Sequence, residues 1–289
     1  MKIIILIPVF NDWQSVSKLI YEIDKLNFSE KFNISVILVN DASNHDHGDE
    51  IKNLKKIETI KILNMKKNQG HARCIATGLK FIFEKDQFDY VIPMDGDGED
   101  RPEEILAFLG KIENSQDKPI VGERIKRSES LTFKICYQLH KLITFVFVGK
   151  LIKFGNFTCL SKSTVKKMIN EKATWNSFSG SLSKIEKNMI TIPSIRGIRY
   201  FGPSKMSFFN LIKHSLSIIS VFRKTFLIRS ALFIVLYILF IKSNASIITG
   251  IPLALLLIAV YSISNLALRE NMKEFDNSLK NIENITNLK

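Results

Sequence analysis

The sequence is poor in cysteine and in acidic residues. Its three cysteines, Cys74, Cys136 and Cys159, are odd in number and stand at no spacing that suggests a pair. This usage excludes a disulfide framework and a structural zinc site, and it fits a reducing compartment. Asp and Glu total 28 against 41 Lys and Arg, so the formal net charge is +13. The basic excess lies mostly between positions 111 and 229, beside the apolar C-terminal part. That distribution favours anionic lipid headgroups and phosphates over nucleic acid.

The long apolar runs are confined to the C-terminal part. Residues 226–241 are apolar except for Arg229 and Ser230, and residues 247–268 carry no charge. The second run can cross a hydrocarbon core of ~30 Å, and the first can do so with residues upstream. The short link predicts a hairpin, and the basic residues at its two outer ends place the N-terminal domain and the tail in the cytoplasm. Two buried core helices are the alternative. The run at residues 1–7 is too short for a signal peptide and predicts a strand.

Short β-branched runs alternate with helical spacings from Lys2 to Pro93. This alternation predicts an α/β domain with a mostly parallel sheet. We expect buried strands at residues 2–9, 34–39, 60–63, 90–93 and 119–121. Helices are expected after residue 12, around 51–57, after Gly70 and after Pro102. The lysine-spaced apolar segments 131–154 and 206–222 predict helices at a membrane interface, with packing on the sheet as the alternative. The polar tail after Leu268 predicts a frayed helix.

Met94-Asp95-Gly96-Asp97-Gly98-Glu99-Asp100 follows the strand predicted at 90–93 and precedes a helix. Asp100 and Glu103 have the spacing of a capping box. Carboxylates this crowded repel each other, and a hard divalent cation would hold them together. The alternative for an isolated turn of this kind is a solvated acidic loop. An EF-hand loop is disfavoured because its ligand spacing and closing Glu are missing.

Further polar motifs follow the predicted strands in a fixed order. They are Ile7-Pro8-Val9-Phe10-Asn11-Asp12, Val39-Asn40-Asp41-Ala42-Ser43 and Asn68-Gln69-Gly70-His71-Ala72-Arg73. Together with the acidic turn, they resemble the family 2 glycosyltransferases, which have the GT-A fold. Glu99-Asp100-Arg101-Pro102-Glu103 resembles the D-x-D-x-Q-D-P-P-E pattern of polyprenyl-phosphate glycosyltransferases, of the dolichyl-phosphate mannose synthase type, with Glu99 in place of Gln. Val121-Gly122-Glu123-Arg124-Ile125-Lys126-Arg127 and Arg199-Tyr200-Phe201-Gly202-Pro203-Ser204-Lys205 are further matches.

The resemblance implies a nucleotide-sugar site with a bound divalent cation. Its expected nucleotide-sugar-binding residues are Pro8, Phe10, Asp12, Asp41, Asn68, Gly70, Arg73 and Asp95. Simple helix caps remain the alternative for Asp12 and Asp41. The expected ligands of Mg²⁺ or Mn²⁺ are Asp95, Asp97 and Glu99. Such an ion neutralises the negative charge that develops on a departing diphosphate.

Basic residues near the expected site supply positive charge for phosphates. The resemblance implies a catalytic set of Asp97, Arg124, Arg199 and Lys205. Arg127 and Ser204 are expected to bind the acceptor phosphate, because guanidinium groups suit phosphate oxygens. An ordinary solvated cation is the alternative for any one of the basic residues.

Gly155-Asn156-Phe157 departs from the family, which usually has Gly-Asp-Phe there. If that Asp is a base for the acceptor, this chain lacks it. A phosphate acceptor is already ionised at neutral pH and needs little help from a base. The departure is therefore easier to reconcile with a lipid phosphate than with a hydroxyl acceptor.

These observations predict a membrane-anchored, metal-dependent, inverting glycosyltransferase. We expect a GT-A domain at 1–205, an amphipathic segment at 206–225, a two-helix transmembrane hairpin at 226–268 and a cytoplasmic tail at 269–289. The expected donor is a nucleotide sugar and the expected acceptor is polyprenyl phosphate at the cytoplasmic membrane face. The alternative acceptor is a saccharide or lipid hydroxyl in cell-surface polysaccharide synthesis. Expected partners are membrane lipids and not nucleic acid, with a homo-oligomer left open.

Overall fold

The computed structural model describes residues 1–45, 51, 53–126, 131–203 and 208–289. Within these residues, eight strands form one sheet: β1 (Lys2–Val9), β2 (Asn33–Asn40), β3 (Ile57–Met65), β4 (Tyr90–Pro93), β5 (Ile120–Lys126), β6 (Phe154–Ser161), β7 (Ile190–Ile195) and β8 (Ile282–Asn287). The strand order is β7-β5-β6-β4-β1-β2-β3-β8.

The described α-helices alternate with these strands and then continue beyond them. They are α1 (Trp13–Lys25), α2 (His71–Lys85), α3 (Glu104–Ile112), α4 (Leu131–Val148), α5 (Lys162–Ile169), α6 (Phe178–Ile185), α7 (Phe208–Ser220), α8 (Arg223–Ile241), α9 (Ile247–Ala267) and α10 (Met272–Asp276). Short 3₁₀ helices occur at Lys172–Trp175 and Ser278–Asn281.

The centre of the sheet is parallel, as the β-branched runs predicted. β1 pairs in parallel with β2 and β4, and β2 pairs in parallel with β3. Helix α1 packs on one face of the sheet through Val16, Leu19 and Ile20, while α2 packs on the other through Ile75 and Leu79. A strand covered on both faces must be apolar along its whole length, which explains the uninterrupted composition of β1. The α/β fold prediction is confirmed.

Two local predictions were wrong. Residues 53–56 are not helical, and Ile57 begins β3, where it is fully buried and pairs with Ile34. The tail after Leu268 is not a frayed helix. It forms α10 and then β8, which pairs antiparallel with β3 from Lys61 to Met65. The chain therefore returns from its apolar hairpin to complete one edge of the sheet.

Helices α8 and α9 are long and apolar enough to cross a membrane by length and composition. Only 11% of the apolar window of each is buried, which argues against the alternative of buried core helices. The two pack side by side, and Tyr237 donates its hydroxyl hydrogen to the Thr249 carbonyl at 3.1 Å. Arg229, the charge inside the first apolar run, donates to the Val146 carbonyl at the end of α4 at 2.8 Å. This bond ties the first apolar helix to α4.

Candidate active site

The carboxyl ends of the parallel strands bring the polar motifs together. β1, β2 and β4 are adjacent and parallel, so the turns that follow them lie together at the carboxyl-terminal end of the sheet, which we call the site edge. The segment that opens α2 follows β3 at the same edge. Open α/β sheets bind their ligands at this edge. We therefore identify it as the candidate active site.

The acidic turn after β4 is held by its own side chains. Asp100 accepts a hydrogen bond from the Asp95 backbone N–H at 2.9 Å, and Asp97 accepts one from the Glu99 N–H at 3.0 Å. Helix α3 begins after Glu103 without a side-chain cap, so the predicted capping box was wrong. The Asp100 carboxylate, only 3% exposed, closes the turn instead.

The segment 196–201 lies across this turn. The Gly197 N–H donates to the Glu99 carbonyl at 2.8 Å, and the Tyr200 N–H donates to the Asp97 carbonyl at 2.9 Å. Gly98 has a φ of 87°, and a Cβ built there would lie 2.6 Å from the Tyr200 ring. Only glycine fits this position, because a side chain would meet both backbone strain and the ring. The acidic turn and segment 196–201 therefore pack closely against each other.

Three arginines neutralise the acidic turn. Arg199 donates to Asp97 at 2.7 Å and also forms an ion pair with Asp12. Arg124 lies 3.5 Å from Asp100. Arg196, which the sequence analysis did not select, pairs with Glu99. Its position three residues before Arg199, where the matched segment begins, was an available signal.

The carboxylates remain electrostatically crowded despite these arginines. Burial, followed by the charge of Asp95, raises the pKa of Asp97 to about 6 and the pKa of Asp100 to about 7. Burial acts on Asp95 in the same direction. It is outweighed there by charge interactions with His71 and Arg124, so the pKa of Asp95 is lowered. The charge of Asp95 therefore adds to the effect of burial in raising the pKa of its two neighbours, and a cation would relieve the repulsion.

This crowding fits a divalent cation that is shared with a ligand. Among the residues that the structure describes, no three His, Cys, Asp or Glu side chains converge as a complete metal site. Asp95 and Asp97 could supply two oxygen ligands. Mg²⁺-type sites commonly combine one or two carboxylates with water and substrate phosphates, so a pair is sufficient for that arrangement. Glu99, the third expected ligand, is paired with Arg196.

Asn156 and His71 form a cluster with Asp95 that sequence reasoning did not anticipate. The Asn156 amide nitrogen lies 3.3 Å from an Asp95 oxygen and 2.7 Å from His71 Nε2. His71 Nε2 is also 3.3 Å from the same Asp95 oxygen. The position that departs from the family pattern therefore contacts the acidic turn directly. Because β6 and α2 are distant in sequence, spacing gave no signal of this contact.

Asp41 joins the two segments expected to receive the nucleotide. Its carboxylate accepts from the Gln69 N–H at 2.6 Å and from the Gly70 N–H at 2.9 Å, and the residue is only 4% exposed. Gly70 has a φ of 90°, and a Cβ there would meet nothing within 4 Å. A ligand can therefore approach the backbone of Gly70 closely.

Of the other expected nucleotide-binding residues, some lie beside the site edge, while Arg73 is paired with another part of the chain. Pro8 is part of β1, Phe10 is 41% exposed just beyond it, and Asn68 is exposed beside Gly70. Arg73 instead pairs with Glu274 at 3.1 Å and lies 5.0 Å from the Trp175 ring centroid. Its guanidinium therefore already has partners in the C-terminal part of the chain. Arg127, Ser204 and Lys205 lie outside the described residues.

The model of the glycosyl transferase family 2 matches residues 4–178. Among curated relatives, an uncharacterized protein of Methanocaldococcus jannaschii is 27% identical over 42% of this chain and 51% of its own length. The undecaprenyl-phosphate 4-deoxy-4-formamido-L-arabinose transferase of Klebsiella pneumoniae is 23% identical over 73% of this chain and 64% of its own. The chain thus spans less than two thirds of the length of these relatives.

Solved structures with the same fold include two proteins crystallised with UDP or a UDP-sugar. Glucosyl-3-phosphoglycerate synthase of Mycobacterium tuberculosis, in complex with Mn²⁺, UDP and glucosyl-3-phosphoglycerate, has a TM-score of 0.54 at 12% identity, covering 78% of this chain and 79% of its own. S. aureus TarS 1–349 in complex with UDP-GlcNAc has a TM-score of 0.51 at 14% identity, covering 98% and 89%. At these identities the likeness concerns the fold alone.

Proposed function

We propose that this chain, which belongs to glycosyl transferase family 2, transfers a sugar from a nucleotide-sugar donor to polyprenyl phosphate at the cytoplasmic membrane face. The chain is a glycosyltransferase with a GT-A fold. The donor, the acceptor, inversion at the anomeric carbon and metal dependence are the proposed parts.

The acidic turn under Arg199 is the observation that carries the donor half of the proposal. Asp97 and Asp12 share this guanidinium, so the turns after β4 and β1 converge on one point. On the far side, Asp41 holds Gly70 with open space above it. A base and ribose placed between the exposed Phe10 and Gly70 would direct their diphosphate toward the acidic turn.

The charges of the site suit cleavage of a sugar–diphosphate bond. Asp95 and Asp97 would hold a divalent cation, which neutralises the leaving diphosphate when it is bound. Arg199 can turn from the carboxylates to the phosphate oxygens, since it already lies between the two turns that converge there. Arg124 keeps Asp100 in place behind the turn. Preorganised positive groups of this kind stabilise charge as it develops.

The acceptor half is supported by the apolar hairpin and by the departure at Asn156. A membrane-anchored enzyme can reach a lipid phosphate, and α8 and α9 are long and apolar enough to supply the anchor. The phosphate oxygen is anionic at neutral pH, so it can attack the anomeric carbon without a carboxylate base at position 156. In-line attack opposite the departing diphosphate inverts the configuration. The similarity to a transferase named for undecaprenyl phosphate agrees with this acceptor class.

A hydroxyl acceptor is the second candidate, and His71 is the observation that favours it. Its Nε2 lies 3.3 Å from Asp95, so an imidazole that could act as a base for a hydroxyl stands beside an expected metal ligand. Such a reaction would yield a glycoside of a saccharide or lipid alcohol in place of a glycosyl phosphate. The two candidates therefore differ in the linkage of their products.

The test uses the full chain in detergent with radiolabelled UDP-, GDP- and dTDP-sugars, Mn²⁺ and undecaprenyl phosphate. We expect label in the organic phase that mild acid releases as free sugar, and none with Asp97→Asn. The exposed Lys67→Ala variant serves as a control and should match the wild type. Label that appears only in added saccharide or lipid alcohol would establish the hydroxyl acceptor. Absence of transfer from every donor to either acceptor class would overturn the proposal.

A further inference from the structure

The chain after the apolar hairpin is built into the catalytic domain. Phe275 of α10 is fully buried, and its ring stacks on Trp175 with centroids 5.4 Å apart. β8 then pairs with β3 and extends the sheet beyond it. Lys289 donates to the carbonyls of Leu54 at 2.7 Å and Ile57 at 2.6 Å. This returning segment, residues 272–289, therefore has defined contacts along its length.

A row of asparagines runs from the returning segment to the turn after β2. Asn64 of β3 donates its amide to Asn284 of β8 at 2.6 Å and also to Thr286 at 3.2 Å. Asn40 of β2 donates its amide to Asn64 at 2.9 Å. The Asn40 oxygen accepts from the Ser43 N–H at 3.0 Å. Amide chains of this kind polarise one another, so the loss of one end weakens the whole row.

The same turn contacts the loop that follows β1. The Ser43 hydroxyl oxygen accepts from the Asn11 N–H at 2.9 Å. Asn11 and Ala42 have positive φ values of 51° and 56°. Neither is glycine, and backbone in this region costs free energy unless its surroundings hold it. The asparagine row is one of the contacts that hold it.

A second connection reaches the start of α2. Glu274 of α10 lies 3.1 Å from Arg73 and accepts from Trp175 Nε1 at 3.0 Å. Arg73 is in the first turn of α2. This helix begins directly after Gly70, whose N–H donates to the Asp41 carboxylate. The returning segment therefore reaches both segments that Asp41 joins. It contacts α2 directly through Arg73, and it is linked to the turn after β2 through Asn64 and Asn40.

We infer that the returning segment is a positioning element of the donor nucleotide pocket, acting through Asn284 on the Asp41–Ser43 turn and through Glu274 on Arg73. The inference rests on the proposed function, which places the nucleotide between these two segments. Neither Asn284 nor Glu274 needs to touch the nucleotide. Their effect is to hold the backbone that does, so their loss should weaken donor binding without changing the chemical step.

The experiment measures nucleotide binding by calorimetry on the full chain in detergent. UDP, GDP and dTDP are titrated with Mn²⁺ present, and the one that binds the wild type is used throughout. The double variant Asn284→Ala with Thr286→Val removes both acceptors of the Asn64 amide. We expect its dissociation constant to rise about threefold to tenfold, the range for one lost hydrogen bond. Glu274→Ala should raise it by a similar factor.

Matched variants separate positioning from general stability. Asn284→Asp with Thr286→Val keeps an acceptor oxygen for Asn64 and should restore wild-type affinity. Glu283→Ala changes an exposed residue of the same strand and should have no effect. With donor sugar, KM should rise in the double variant while kcat is kept.

Two results would count against the inference. If the wild type binds a nucleotide and the double variant binds it equally well, with only a lower melting temperature, the returning segment has a purely structural role. If the wild type binds none of the three nucleotides, the proposed function fails and the inference fails with it.

Discussion

If the proposed divalent cation binds, Arg199 and the cation compete for the Asp97 carboxylate. The guanidinium pairs with Asp97 at 2.7 Å, where a metal ligand is expected, and with Asp12 on the neighbouring turn. Because an arginine cannot lose its proton, it must move before Asp97 can coordinate an ion fully. Its charge is then available to the donor phosphates. In the proposed reaction, Arg199 would thus act first on the acidic turn and then on the substrate.

Replacement of Arg199 should separate these two actions. In Arg199→Ala, Asp97 and Asp12 lose their shared counterion, so we expect Mn²⁺ to bind about tenfold more tightly in the presence of nucleotide. Transfer should nevertheless fall about 100-fold or more, because a donor to the developing charge is missing. Electron paramagnetic resonance of free Mn²⁺ measures the first effect, and single-turnover transfer measures the second. Weaker Mn²⁺ binding in the variant would contradict the competition.

Asp24 provides a prediction about stability and pH. Its carboxylate accepts backbone N–H bonds from Lys55, Lys56 and Ile57, each at 2.8–2.9 Å. Burial raises the pKa of Asp24, but these three donors outweigh it and bring the pKa below 3.8. A lowered pKa contributes stability above the unfolded value, and this contribution disappears as pH falls through the folded pKa.

The Asp24→Asn variant tests this contribution. We expect it to lose about 1 kcal/mol of unfolding free energy near pH 7, because these hydrogen bonds to a charged group are partly exposed to solvent. The loss should shrink as the pH falls below 3.8 and disappear once the pH has passed through the lower folded pKa, where the wild-type carboxylate is neutral as well. Denaturant titrations at neutral and acidic pH measure it, with the exposed Glu30→Gln as control. A loss that does not depend on pH would show that the charge is irrelevant.

Several residues that the sequence motifs selected lie close together in the structure, while their roles stay predictions. Asp95, Asp97, Arg124 and Arg199 do come together at the edge of the sheet. His71 was passed over because its partner Asn156 is in β6, and nothing in the spacing of either residue reveals the other. Contacts between distant segments depend on strand order, and strand order cannot be read from periodicity.

At the scale of elements, the parallel strands and long helices follow their patterns closely. β1 is an apolar run with both faces covered, and α1 has buried residues at helical spacing. β8 was missed because its residues, mostly polar and partly exposed, carry no strand signal of their own. Its conformation is set by pairing with β3. Tertiary context overrides propensity most readily at a short edge strand.

A Phe275 variant tests whether the packing of α10 on Trp175 anchors the returning segment to the domain. Phe275→Ala removes a fully buried ring from the face of Trp175, so we expect a loss of about 3–5 kcal/mol. Trypsin should then cleave faster after the exposed Lys280. Ile285→Ala, at a side chain that is 46% exposed, should leave the cleavage rate near that of the wild type. Equal rates for the two variants would show that α10 is not the anchor.

At the scale of the whole molecule, the sequence predicted the apolar hairpin but not its attachment. The hairpin leaves the domain after α7 and returns to it at α10 and β8. If α8 and α9 both cross the membrane, the domain and the returning segment must lie on one side. The basic residues that flank the hairpin predict that this side is the cytoplasm.

Single-cysteine labelling tests this topology. In a background with the three native cysteines changed to alanine, Ser243→Cys places a thiol in the link between α8 and α9, and Lys280→Cys places one in the returning segment. An impermeant maleimide added to intact cells should label only position 243. Permeabilised cells should show label at both positions. Label at both in intact cells, or at position 280 alone, would contradict the predicted orientation.

The return of the chain to β3 also sets an order of events during synthesis. Ribosomes make β8 after both apolar helices, so the sheet stays one strand short until the hairpin has left the exit tunnel. Newly made enzyme that has not yet entered a bilayer would have a loosely held nucleotide pocket. Competence to bind donor would then be acquired at the place where the lipid acceptor is found.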